Sequence, residues 1–125
     1  MVSIDVFQRM VQQACDELPE EIFRGLNGGV AISERALLHP QSRGDDLYIM
    51  GQYVNDSVLG SIVYMYYGSF VHFYPHLDEP ALMPHVRQVL RHELLHHLET
   101  RAGERGLADW DDEQLAKYLS RYEDE

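Results

Sequence analysis

The sequence predicts an α/β (α+β) fold in one domain spanning residues 1–125, with a small β-sheet between helices near each end of the chain. Three observations predict it. Apolar residues recur at helical spacing from Ser3 onward and again through the segment that begins at Pro84. Between these lies Ile62 to Tyr67, IVYMYY, dense in β-branched and aromatic residues. A length of 125 residues with 45% hydrophobic content suits one folded core.

At the N-terminus, Ser3 is a candidate cap, and Phe7, Met10, Val11, Ala14, Cys15 and Leu18 share one helix face. Pro19 opens a second short helical piece, Glu20 to Leu26, which Asn27, Gly28 and Gly29 terminate as a turn. Val30 to Ile32 reads as a short strand, Pro40 to Asp46 as a polar loop, and Leu47 to Tyr53 as a second strand. Asn55 to Gly60 is turn-like, and Ile62 to Tyr67 is the strongest strand signal, ended by Gly68 and Ser69. Phe70 to Leu77 fits either an extended segment or a turn. Asp78, Glu79 and Pro80 then signal helix entry, while Pro84, by disfavouring the α region at Met83, places the regular helix from Pro84 onward. Its apolar surface is Val86, Val89, Leu90, Leu94, Leu95 and Leu98, with Gly103 as the stop. Asp111 as N-cap, Gln114 completing a capping box and Trp110 stapled to Leu115 predict a last helix over Asp112 to Tyr122.

Composition narrows the chemistry. A formal net charge of −11 disfavours nucleic acid as a partner, because tracking phosphates requires clustered Lys and Arg. No basic and apolar leader pattern opens the chain and no apolar stretch is long enough to span a bilayer, so neither targeting nor a membrane is expected. Cys15 is the sole cysteine, which fits a reducing, cytoplasmic setting and leaves His and carboxylates as the ligands for any metal.

Residues 92–99, HELLHHLE, contain H-E-x-x-H as His92, Glu93 and His96. On a helix, positions i and i+4 stack on one face, so both imidazoles can reach one Zn2+ at about 2.0–2.1 Å. Glu93 lies about 100° around, where a carboxylate can act as general base on a water without displacing it. With seven His among 125 residues, chance alone gives such a match in about 3% of chains, so context decides. The apolar helix around it is the setting the motif needs. Exposed or hydrogen-bonded helix histidines without a metal are the alternative, and Leu94, Leu95 and Leu98 beside them argue against it. His97 points off the ligand face toward a supporting or solvent role. His39, His72, His76 and His85 lack ligand spacing and read as structural or surface residues, with His72 and His76 as candidates for a cleft wall.

The doubled histidine His96–His97, together with Asp16 to Ile22 (DELPEEI), the strand ending near Tyr66 to Gly68 (YYG) and Val89 to Glu99 (VLRHELLHHLE), resembles the small bacterial zincin-like metallopeptidases, or minimal zincins. The resemblance covers most of the chain. It implies a small sheet backing onto an active-site helix, a zinc at His92 and His96, Glu93 as catalytic base, and peptidase activity on peptide or protein substrates. The chain departs from the pattern where the family commonly carries x-x-G-x-x-D, because those positions are Glu99 and Ala102. Glu99 is the expected third ligand, lying on the stripe of His92 and His96; Glu104, Asp109, Asp111 and Glu113 are the alternatives.

The expected function is therefore zinc-dependent hydrolysis of an amide, with one of Tyr64, Tyr66 or Tyr67 as a candidate donor to the oxyanion. The alternative is a metal-stabilised binding or regulatory module with little turnover.

Overall fold

Helix α1 (Ile4–Asp16) begins where Ser3 caps it, the Ser3 hydroxyl accepting from the Val6 amide at 3.2 Å. The computed structural model describes residues 1–42, 44, 47–104 and 110–120, the side chains of 104 and 110–113 excepted. The apolar stripe of α1 is buried at Phe7, Met10, Val11 and Ala14. The short helical piece after Pro19 is a 3-10 turn, Glu20–Phe23.

Five strands follow: β1 (Val30–Ser33), β2 (Leu37–Leu38), β3 (Tyr48–Ile49), β4 (Gly51–Asp56) and β5 (Gly60–Tyr66). β5 is central in a three-stranded sheet. It pairs in parallel with β1, Val30 opposite Val63, and antiparallel with β4, Tyr53 opposite Val63. β2 and β3 form a separate antiparallel pair. The strand expected over Leu47 to Tyr53 is thus two strands in two sheets. The chain changes sheets at Met50, whose carbonyl still accepts from the Tyr66 amide at 2.9 Å, and Tyr48–Ile49 turn away to pair with Leu37–Leu38.

Gly68 and Ser69 do not end a strand in a turn; they lie in a helix, α2 (Tyr67–Phe73). Both are buried. A Cβ on Gly68 would stand 2.5 Å from the Ala36 nitrogen, so glycine admits the neighbouring main chain. The Ser69 hydroxyl accepts from the Leu37 amide at 2.8 Å, so both residues are used to seat β2 on α2.

Helix α3 (Glu79–Glu104) starts five residues before the expected Pro84. Asp78 caps it, its Oδ1 accepting from the Ala81 amide at 3.1 Å and its carbonyl from Leu82 at 2.9 Å. Leu82 and Met83 are buried in that first stretch. Capping and burial together outweigh the local preference of a residue before proline. Leu82, Val86, Leu90, Leu94 and Leu98, four residues apart, are each at most 1% exposed. Each such side chain contributes about 1.5–3 kcal/mol by leaving water. They belong to one core with the α1 stripe and with Val63 and Met65 of β5. Helix α4 (Trp110–Ser120) packs on α3 and buries Leu119; the expected cap and staple involve side chains outside the described residues, as do residues 121–125. The opposite side of α3 exposes Gln88, His92, His96 and Glu99.

The architecture is mixed α and β, as expected, with a small sheet against the motif-bearing helix and helices toward both ends. Among the described residues no helix is long and apolar enough to cross a membrane.

Candidate metal centre

The inward stripe of α3 is filled by leucines, which leaves the motif histidines on the accessible side. His92 and His96, one turn apart, bring their Nε2 atoms to 3.1 Å, with the rings edge to face. One ring donates and the other accepts across that gap. Zinc–nitrogen bonds of about 2.0–2.1 Å to both atoms would subtend roughly 95–100°, close to tetrahedral. Two imidazole nitrogens at this separation therefore fit a zinc ion.

Glu93 is placed by the sheet. Its Oε1 accepts from the main-chain amide of Tyr53 in β4 at 3.0 Å, which leaves Oε2 for a water. The approach is close because position 51 is glycine: a Cβ there would stand 2.7 Å from Val89 Cγ1 and 3.3 Å from Glu93 Cγ.

A cleft of about 570 Å³ opens beside the motif. His39, Tyr48, Ile49, Met50 and Gly51 form one side, and Gln88, Val89, His92 and Glu93 of α3 the other. Of the histidines outside the motif, His39 is the one that lines this cleft; His72 and His76, candidates for its wall, do not. His72 instead bonds the Gly68 carbonyl through Nδ1 at 2.8 Å, and His85 stacks on Tyr74. The residue that sequence spacing missed is His39, which is brought in by the β2–β3 pair and is 53 residues from His92 in the chain.

His97 is 2% exposed and lies off the face that carries His92 and His96. Its Nε2 bonds the Arg24 carbonyl at 2.9 Å and its Nδ1 the Tyr53 hydroxyl at 3.0 Å. Arg101 reaches the same Arg24 carbonyl at 2.7 Å and that of Glu21 at 3.0 Å. Tyr53 is thus held by α3 at both ends, its amide by Glu93 and its hydroxyl by His97.

Glu99 meets His96 from the other side, Oε2 lying 3.9 Å from Nδ1, while His96 approaches His92 through Nε2. Among the described residues no group of three or more His, Cys, Asp or Glu side chains converges as a metal would require. Of the alternatives for a third ligand, Asp109 lies outside the described residues, as do the side chains of Glu104, Asp111 and Glu113. The tyrosines that are candidate donors are used elsewhere: Tyr66 donates to Gln52 at 2.9 Å, Tyr67 to the Val2 carbonyl at 2.5 Å, and Tyr64 stacks on Tyr66. None of the three lines the cleft.

Fold and site together define an α+β protein with a two-histidine helix face and an oriented carboxylate at the edge of a cleft. No protein-family model matches the chain, and no curated protein matches it. Among solved structures it is similar to a conserved hypothetical protein from the bacterium T. thermophilus, at 29% identity and a TM-score of 0.70. That match covers 82% of this chain and 99% of the other, so the fold is shared over that span.

Proposed function

We propose that the chain is a zinc-dependent metallopeptidase, holding its metal on His92 and His96 and using Glu93 as general base. The observation that carries this reading is the convergence of two imidazole Nε2 atoms to 3.1 Å on the accessible face of α3, beside a cleft-lining carboxylate. Zinc, when bound, acidifies a water and polarises a carbonyl. Glu93 has the placement a base needs: Oε1 is fixed by the Tyr53 amide, and Oε2 takes the proton of the attacking water and returns it to the leaving amine. The substrate is a peptide or protein segment, with the cleft receiving one of its side chains; nucleic acid and membranes are not partners. A cytoplasmic setting accords with the lone Cys15, whose thiol burial pushes up to about 11, leaving it protonated and inert.

One observation favours the second reading, a metal-stabilised binding module: Glu93 already fastens β4 to α3, a role that needs no turnover. Variants separate the two. His92→Ala and His96→Ala should each weaken zinc binding by at least about 100-fold in a calorimetric titration, since each removes half of the anchor. Glu93→Gln keeps an oxygen for the Tyr53 amide and should keep zinc, while hydrolysis in a peptide-library screen falls to background. Zinc retained by the double histidine variant refutes the site; full turnover in Glu93→Gln refutes the base.

A further inference from the structure

We propose that His39 is a hydrogen-bond donor of this cleft, offering Nε2–H to the carbonyl oxygen of a bound peptide, and that it is not a metal ligand. The proposal rests on the zinc-site reading above. A main-chain amide can only donate, and that of Gln41 lies 3.0 Å from His39 Nδ1. Nδ1 is therefore the lone-pair nitrogen of the ring, and the neutral imidazole carries its proton on Nε2. A metal-binding histidine has the reverse arrangement, one N–H given to the protein and a lone pair left for the ion. His72 has that reverse arrangement, bonding the Gly68 carbonyl through Nδ1, but it lies outside the cleft.

The main chain at His39 is fixed as well: its amide donates to the Leu47 carbonyl at 2.8 Å, and its carbonyl accepts from Ser42 at 2.9 Å. The main chain of His39 is held by these bonds and its ring by the Gln41 amide before any ligand arrives, the condition under which a donor best serves charge developing on an oxygen. With Tyr48, Ile49, Met50 and Val89 on the same walls, the matching ligand is a peptide carbonyl next to an apolar side chain.

The test uses the full chain and acetohydroxamate, whose oxygens chelate zinc and accept hydrogen bonds. In the zinc-loaded protein, His39→Phe should weaken acetohydroxamate about 5- to 10-fold, the range of one hydrogen bond, and His39→Gln, which still donates, by no more than about twofold. Zinc affinity should be the same in both variants and the wild type. Hydroxamate binding unchanged in His39→Phe overturns the proposal, and loss of zinc there makes His39 a ligand and overturns it too. A wild-type chain that takes up no zinc defeats the parent reading, and this proposal with it; that result is read in the zinc titration before any hydroxamate is added. Should His39→Phe not fold, long-range proton–nitrogen spectra of the wild type still decide: protonated Nε2 supports the donor, protonated Nδ1 overturns it.

Discussion

Main-chain partners assign the protons of three histidines, and the assignments differ. His39 receives the Gln41 amide on Nδ1, His72 meets the Gly68 carbonyl through Nδ1, and His97 meets the Arg24 carbonyl through Nε2. The Tyr53 hydroxyl lies 3.0 Å from both His97 Nδ1 and Ser61 Oγ, so Tyr53→Phe removes a buried hydrogen-bond partner from each. That variant should lose about 1–3 kcal/mol, read as a lower urea midpoint, with zinc affinity unchanged. An equal fall in zinc affinity would place Tyr53 in the metal site. Glu99 belongs to the same scale. Its carboxylate lies beside His96 Nδ1, the position from which an acid orients a ligating ring. Glu99→Ala should therefore weaken zinc about 10-fold; a loss as complete as in His96→Ala would make it a direct ligand. The i, i+4 spacing made the histidine pair and the off-face position of His97 legible in the sequence. The partners of His97 were not legible, because the Arg24 carbonyl is 73 residues away and a main-chain atom carries no residue identity.

Among the elements, those with local causes were legible: α1 has its cap and stripe, and β5 its β-branched run. The misplaced boundaries trace mainly to contacts distant in sequence, with the Asp78 cap adding to burial at the start of α3. Met50 divides one hydrophobic run between two sheets, Gly68 and Ser69 enter α2 because β2 lies against them, and buried Leu82 and Met83 extend α3 ahead of Pro84. The contact between β4 and α3 is the most exacting of these. Gly51→Ala would set a Cβ 2.7 Å from Val89 Cγ1, so strand or helix must shift. Overpacking of this kind costs about 1–3 kcal/mol. Chemical denaturation should show that loss together with weaker protection of the Tyr53 amide from hydrogen exchange, since the same shift draws it from Glu93. Unchanged exchange at Tyr53 would show that the helix yields at Val89 alone.

At the scale of the molecule, α3 is the common partner of α1, α4 and two strands of the sheet. One fastening is electrostatic: Arg87 of α3 reaches both oxygens of Glu17, just past α1, at 2.9 Å. The hydrogen bond from Arg87 holds the Glu17 carboxyl below its ordinary 4.5. A depressed folded value means that this stabilisation is present above about pH 4.5 and disappears as the pH falls through the folded value. Both side chains are 33% exposed, so solvent limits the pair to about 0.2–1 kcal/mol. The stability gap between wild type and Arg87→Gln should accordingly be open at neutral pH and closed near pH 3, measured by urea unfolding. A gap that stays constant with pH would assign the loss to packing. The amide that orients Glu93 has a different standing from every side chain considered so far, because any residue at position 53 except proline supplies it. The cleft wall just ahead of β4, Tyr48 to Met50, is separate from that bond, so substitutions there can change what the cleft admits while the Glu93 carboxylate keeps its main-chain anchor.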